Sequence, residues 1–264
     1  MRKFILNLAF ISLFLAGCYT STTQGGLVGA NSRQLLLVSA QAMDASAAKA
    51  YVQTLSAARN KKALNVNPAM TKRVQDISAR LISQVHVFRQ DALKWNWQVN
   101  VIQEDTLNAW CMPGGKIAVY SGIITRLNLT DGEIAAIIGH EIAHALREHS
   151  REQVSNDQIK NIGVFAISAV TGVNANLVNR AAHYTISLPF SRAHETEADR
   201  IGTELMARAG YDPSEAVNVW VKMSKVGGAK QPEILSTHPS NESRIADLKK
   251  VSAKVKPLYL ATLK

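Results

Sequence analysis

The spacing of apolar residues divides this 264-residue chain into mainly helical parts and one short region of strands. Residues 33–62 and 69–88 carry the helical pattern, the first of them rich in alanine. Residues 95–103 and 116–120 alternate between apolar and polar positions, which indicates strands. The turn at 113–115 joins them in a small sheet. We therefore expect an α+β fold that is mainly helical.

The strongest helix start in the chain is at Thr130, which forms a Thr-x-x-Glu capping box with Glu133. An apolar run follows and predicts a helix over about 131–149. A later helix ends at Gly210. Between them, residues 162–173 are apolar but too few to span a bilayer, which takes about 20 residues. They form either a lid or helical hairpin over a cleft, or part of the core.

Residues 140–144 read His-Glu-Ile-Ala-His, the HExxH pattern of zinc hydrolases, within the predicted helix 131–149. Residues four apart on a helix lie on one face, so His140 and His144 can bind the same ion. Glu141 can then reach a water on that ion, and zinc lowers the pKa of such a water to roughly 7. This pattern predicts a hydrolytic zinc site.

A catalytic zinc usually has three protein ligands. His149 is excluded on a continuous helix, because nine residues place it about 180° away from His140. Glu195 and Asp199 share one face of a later helix, being four residues apart. We expect Glu195 to be the third ligand, and Asp199 to accept the ring N–H of a ligand histidine.

Two other readings of this later helix remain. Glu195 and Asp199 could pair with Arg192 and Arg200 on an exposed face instead. His194 is a ligand by residue type, but it points about 100° away from Glu195. Glu197 points about 200° away from Glu195, and we expect it to be solvated.

The HExxH pattern followed some fifty residues later by ExxxD resembles the M48 family of metallopeptidases. The resemblance spans roughly residues 68–250, and within the family the chain is similar to the periplasmic, lipoprotein-type members. It implies a zincin-like (gluzincin) domain with its small sheet beside the HExxH helix, one Zn²⁺ per chain, and endopeptidase activity on misfolded or unassembled envelope proteins. It also rests on these segments: Asn108–Gly115, Lys116–Tyr120, Glu197–Gly202, His238–Pro239 and Arg244.

The resemblance and the placement of the strand before the HExxH helix predict how substrate binds. We expect this strand to be a sheet edge to which an extended peptide adds by backbone hydrogen bonds. Alternatively, it is simply a core strand. It consists of Lys116, Ile117, Ala118, Val119 and Tyr120.

His238 lies in a Ser-Thr-His-Pro loop before the last helix. It could stabilise the oxyanion of the tetrahedral intermediate, which would make it a catalytic residue. It could instead fill the open zinc position and keep the enzyme latent, or have no role. We expect Arg244 to brace this loop.

The N-terminus resembles a lipoprotein signal: two basic residues, an apolar run, and Leu-Ala-Gly before Cys18. We predict a signal peptide at 1–17, lipidation of Cys18, a flexible tether at 18–32 and a metallopeptidase domain at 33–264. Tyr19 is not the aspartate that retains such lipoproteins at the inner membrane. This predicts anchoring at the outer membrane, facing the periplasm. An ordinary signal peptide or a short anchor helix is the alternative.

The net charge of +10 could indicate nucleic-acid binding. The basic residues are spread along the chain, however, and no recognition motif accompanies them, so we expect no nucleic-acid partner. A solvated basic surface attracted to anionic lipids or acidic proteins fits better. If Cys18 is acylated, Cys111 has no intrachain partner, and we expect it to be a packed residue rather than a nucleophile.

The sequence thus favours a zinc endopeptidase in which Glu141 is the general base and then the proton donor. Its substrates would be unfolded or misassembled envelope proteins. The alternative is a chaperone or assembly factor for outer-membrane proteins, with latent or minor proteolysis. In either case, outer-membrane assembly machinery is a possible partner.

Overall fold

The computed structural model describes residues 19–168, 183–226, 233–238 and 242–264. The predicted signal peptide and Cys18 lie outside these residues, and so does the part of the apolar segment 162–173 beyond Ser168. Within the described residues, none of the helices combines the length and apolar character needed to cross a membrane.

Helices make up most of the described chain, with one three-stranded sheet and a two-stranded ribbon. The expectation of a mainly helical α+β fold of the zincin type is confirmed. The helices are α1 (Ala40–Asn60), α2 (Pro68–Ile82), α3 (Ser121–Arg126), α4 (Asp131–Leu146), α5 (His149–Ser168), α6 (Arg192–Arg208), α7 (Glu215–Ser224), α8 (Glu233–Thr237) and α9 (Glu242–Ala261). Short 3₁₀ turns lie at Val85–Val87 and Gln90–Lys94, and a π-helical turn at His183–Ser187.

The N-terminal ribbon pairs β1 (Tyr19–Thr20) with β2 (Gln34–Leu35) in antiparallel register. The helix predicted from residue 33 therefore begins later, at Ala40, where the Ser39 side chain accepts a bond from the Ala42 amide. Extended residues at the start of the predicted helix pair with a strand that precedes them, a contact that local periodicity does not reveal.

Residues 19–32 were predicted to be a flexible tether, and this is wrong for the described part. Thr23, Val28 and Ala30 are buried. The Val28 amide donates to Glu204 of α6 at 3.1 Å. Small polar residues in this segment bond to buried charged side chains of the domain, so a composition typical of linkers belongs here to a packed segment.

The sheet has the order β3–β5–β4, with β3 (Gln98–Ile102) parallel to β5 (Lys116–Tyr120) and β4 (Ala109–Met112) antiparallel to it. The expectation that Lys116–Tyr120 is an edge strand is wrong, because β5 is paired on both sides. The turn at 113–115 joins β4 to β5, and β4 was missed. Gly114 and Gly115 take the positive φ of 73° and 78° that this tight hairpin requires.

Helix α4 begins at the predicted capping box, in which Thr130 and Glu133 bond reciprocally. It ends at Leu146 rather than 149. Glu148 has a φ of 50°, a left-handed conformation that reverses the chain before α5 starts at His149. His149 is consequently not on the same helix as His140, contrary to the prediction.

Helix α4 is buried at nearly every position and packs against α6, α7 and β4. It lies very near α6 at the point where Gly139 faces Gly202. A Cβ atom added to Gly202 would lie 2.7 Å from the His140 amide nitrogen. Two residues without side chains therefore set the spacing between the helix that carries HExxH and the helix that carries Glu195.

The variant Gly202→Ala should lower the free energy of unfolding by about 1–3 kcal/mol, because its methyl group would press against the α4 backbone. Urea denaturation followed by circular dichroism measures this change. Gly132→Ala is the matched control on α4, since its Cβ would meet chiefly the flexible side chain of Glu215. Equal stability of Gly202→Ala and wild type would contradict the tight crossing.

Candidate metal centre

Four buried side chains from three parts of the chain lie close together. His140 and His144 come from α4, Glu195 from the first turn of α6, and His238 follows α8. One donor atom from each lies within 4.8 Å of the others, and together they form a group that could hold a metal ion. The predicted ligands are thus brought together, and His238 joins them.

The spacing of these donors suits a zinc ion. Ligands around tetrahedral zinc lie about 3.3 Å apart, because Zn–N and Zn–O distances are about 2.0–2.1 Å. His140 Nε2 and His144 Nε2 are 3.1 Å apart. They lie 3.5 and 3.4 Å from the two carboxylate oxygens of Glu195. Three imidazole rings and a carboxylate face one another in the interior, and this set of nitrogen and oxygen donors fits a shared zinc ion.

Asp199 lies one turn after Glu195 on α6, with Oδ1 3.0 Å from His140 Nδ1. This is the arrangement expected of a carboxylate that orients a ligand histidine. Asp199 also accepts two bonds from Arg244, at 2.8 and 2.7 Å. Arg244 does more than brace the loop, because its Nη1 is 2.6 Å from Glu195 Oε2 and its guanidinium stacks on Trp220.

Glu141 is buried beside these donors, with Oε1 3.5 Å from His238 Nε2. This oxygen has no hydrogen-bond partner within the described part of the chain. A small apolar recess adjoins it. The recess is lined by Ala136, Ile137, Val219, Trp220, Met223 and Ile234.

The surroundings shift the pKa values of the two carboxyl groups in opposite directions. Burial raises the pKa of Glu141. Burial also disfavours the charged form of Glu195, but the charge of His238 and hydrogen bonds from the three histidines outweigh it and hold its pKa well below the usual range. Glu195 is therefore suited to bind a cation, and Glu141 to accept a proton.

His149 lies outside the ligand group, in agreement with its exclusion as a ligand, but its ring reaches the site. Its Nδ1 is 2.9 Å from His144 Nδ1, and its Nε2 is 3.2 Å from Glu197. The expectation that Glu197 is solvated is wrong, because Arg147 also binds it. His194 stacks on His149 and lies 3.2 Å from Glu152, away from the ligands.

Phe190 completes the site and was not predicted. Its ring stacks on His144 with centroids 4.0 Å apart, and it is tilted over His238 at 5.5 Å. Phe190 precedes the cap of α6, and its position follows from the path of the chain before that helix. The only sequence signal was Pro189, which interrupts the helical pattern there.

Cys111 is a free, buried residue of β4. Burial and the nearby charge of Glu141 raise the pKa of its thiol well above the usual range. A protonated thiol packed in the core is a poor nucleophile, which agrees with the expectation of a packing role.

Two histidines of an HExxH helix and a glutamate of a following helix define the class of zincin-like metallopeptidase domains called gluzincins. The chain belongs to peptidase family M48, whose model matches residues 68–252. The resemblance drawn from the sequence motifs is therefore confirmed.

Relatives come from mitochondria and from bacteria. The chain is 40% identical over 151 residues to the mitochondrial metalloendopeptidase OMA1 of Arabidopsis thaliana. The aligned residues cover 56% of this chain and 30% of that protein. It is 35% identical over 177 residues to OMA1 of Saccharomyces cerevisiae, covering 64% and 50%. It is 26% identical over 222 residues to the beta-barrel assembly-enhancing protease of Escherichia coli K12, covering 80% and 44%. The chain thus spans half or less of the length of these relatives.

The variant Asp199→Asn should weaken zinc binding by about 10–100-fold, because the His140 ring loses the carboxylate that orients it. Competition with a chromogenic chelator measures this affinity. Asp247→Asn is the matched control, since it removes an equal charge from a more exposed pair with Arg200. Loss of affinity in the control, or none in Asp199→Asn, would contradict the assignment.

Proposed function

We propose that this chain is a zinc endopeptidase that cleaves unfolded or misassembled proteins of the cell envelope. The observation that carries the proposal is the buried group of His140, His144 and Glu195, with the Glu141 carboxylate beside it. Membership of family M48 and the metalloendopeptidase relatives support the reaction type. A zinc ion bound there would polarise the scissile carbonyl and activate a water.

The residues of the chain divide the work between them. Glu141 takes the proton of the attacking water and then passes it to the leaving amine. Burial favours the first step, because it raises the pKa of Glu141 and so strengthens the carboxylate as a base. Asp199 and Arg244 hold His140 and Glu195 in place and balance the charge of the ligand group.

The variant Glu141→Gln should lower the rate of casein cleavage by about 10²–10⁴-fold while the chain still binds one zinc, because the amide cannot accept the proton. Peptide products are measured by mass spectrometry, and zinc content by elemental analysis. Glu104→Gln, a change at an exposed surface pair with Lys61, is the control. Full cleavage by Glu141→Gln would refute the mechanism.

Substrate binding involves β4 rather than β5 in this proposal. Within the described sheet, β4 pairs with β5 alone, so its other edge has no strand partner. It packs against α4, the helix that carries the metal ligands, and the turn at His183–Ser187 contacts it. All four residues of β4 are buried, so an extended client segment would add to this edge only after the elements that cover β4 move aside. It would then read backbone groups more than side chains.

His238 keeps the site latent in this proposal. Its Nδ1 is 3.2 Å from His140 Nε2 and 3.0 Å from Glu195 Oε1, a position typical of a fourth ligand. A histidine held there excludes both the water and the substrate carbonyl. The alternative role, stabilising the oxyanion, would require His238 to leave the ligand group.

The variant His238→Ala should cleave casein several-fold faster than wild type, because the fourth position is then open. A fall of about 10²–10³-fold would instead support the oxyanion role and overturn latency. Initial rates at saturating zinc decide between them. His86→Ala, which changes a histidine on the exterior of the domain, controls for nonspecific effects.

The second candidate function is a chaperone or assembly factor with minor proteolysis. The blocked fourth position at His238 favours it, as does the name of the assembly-enhancing relative from E. coli. Rescue of an outer-membrane defect by the Glu141→Gln form would support this function. In either case, we propose a lipid anchor at Cys18, an outer-membrane location facing the periplasm, and outer-membrane assembly machinery as partner.

A further inference from the structure

The ligand His144 uses both of its ring nitrogens. Its Nε2 faces the ligand group, and its Nδ1 is 2.9 Å from His149 Nδ1. A ring that binds metal through Nε2 carries its proton on Nδ1 and donates it. His149 must then accept on Nδ1 and carry its own proton on Nε2, which lies 3.2 Å from Glu197 Oε2. A single arrangement of protons satisfies all three groups.

Glu197 is fixed in turn by Arg147 and by Ser32, a residue near the start of the described chain. Arg147 Nε donates to Glu197 Oε2 at 2.9 Å, and Ser32 Oγ donates to Glu197 Oε1 at 2.5 Å. The Arg147 side chain is 0% exposed. A buried guanidinium demands partners for all its donors.

The remaining donors of Arg147 go to the N-terminal segment, residues 21–34. Nη1 donates to Ser21 and Thr23, both at 3.0 Å, and Nη2 donates to the hydroxyl and carbonyl of Ser32 at 2.9 Å. Gln34 then donates to the carbonyl oxygen of Arg147 at 2.7 Å. The segment thus encloses the residue that lies one turn beyond His144.

We propose that the N-terminal segment 21–34 is a positioning element of the metal site, acting on His144 through a chain of hydrogen bonds. The chain consists of Arg147, Glu197 and His149. It does for His144 what Asp199 does directly for His140: it fixes the tautomer and the direction of the ligand nitrogen. The inference rests on the proposed function, since it concerns the same zinc.

The near end of the chain is tested with His149→Phe and His149→Asn in the full-length protein. The phenylalanine cannot accept the His144 proton, so zinc affinity should fall about 10–100-fold. The asparagine keeps an acceptor oxygen near the position of Nδ1 and should recover part of that loss. The visible absorption of bound Co²⁺ should shift in His149→Phe, because ligand geometry changes. His194→Phe, at the ring stacked on His149, is the matched control and should leave affinity and spectrum unchanged.

The far end is tested with Ser32→Ala, which removes a hydroxyl that bonds both Arg147 and Glu197. Zinc affinity should fall several-fold, although Ser32 is linked to the ligand group only through Arg147 and Glu197. Ser39→Ala is the control, because it removes a helix cap in the same part of the chain without touching Arg147. A loss of thermal stability without a loss of affinity is expected there.

The outcomes separate the two proposals. Wild-type protein that binds no zinc would refute the proposed function, and this inference with it. Suppose instead that the wild-type protein binds zinc, and that His149→Phe and Ser32→Ala bind zinc and Co²⁺ as well as the wild type does. That result overturns the inference alone. If His149→Phe does not fold, the spectra and affinities of His149→Asn and Ser32→Ala decide.

Discussion

The metal centre depends on the contact between two helices at a pair of glycines. Gly139 and Gly202 let α4 and α6 approach so closely that a single methyl group would touch backbone. At this separation Glu195 reaches the histidines of α4, and Asp199 reaches the outer nitrogen of His140. A wider crossing would separate both acidic side chains from the histidines and leave Arg244 as the partner that holds them. Packing and ligand geometry are therefore a single constraint.

Charge balance is the second condition for this site. The interior holds Glu141, Glu195 and Asp199 close together, and Arg244 lies against two of them. On the other side of His144, buried Arg147 faces Glu197. Arg244 pairs with Glu195 and Asp199, and Arg147 pairs with Glu197, so two buried cationic side chains offset the cost of burying these carboxylates.

Local sequence rules predicted the parts of the site that lie within single helices. The HExxH spacing, the ExxxD spacing and the Thr130 capping box each depend on helix geometry alone, and the structure has all three in place. The rules failed where one backbone conformation or a distant segment decides. The positive φ of Glu148 brings His149 back toward His144. The spacing of apolar residues does not predict this backbone conformation. Strand β4 has only four residues, too few for a clear alternation.

The N-terminal segment was misread for a related reason. Its serine, threonine and glycine residues are typical of a flexible linker, but here their hydroxyl groups satisfy a buried arginine more than a hundred residues later. Composition indicates how a segment behaves in isolation. It does not reveal that a buried side chain elsewhere in the fold needs the segment's hydroxyl groups as hydrogen-bond partners. The predicted sheet edge failed similarly, since the order of strands depends on a partner that the pattern did not show.

The pairing of Tyr19 in β1 has a geometric consequence for the proposed lipid anchor. Consecutive Cα atoms are about 3.8 Å apart, so an acyl group on Cys18 would join the folded domain with almost no slack. The membrane would then restrict the rotation of the whole molecule as well as its distance from the bilayer. The metal centre would sample a thin layer above the lipid surface, and a client would be cleaved according to how near the bilayer its unfolded part lies.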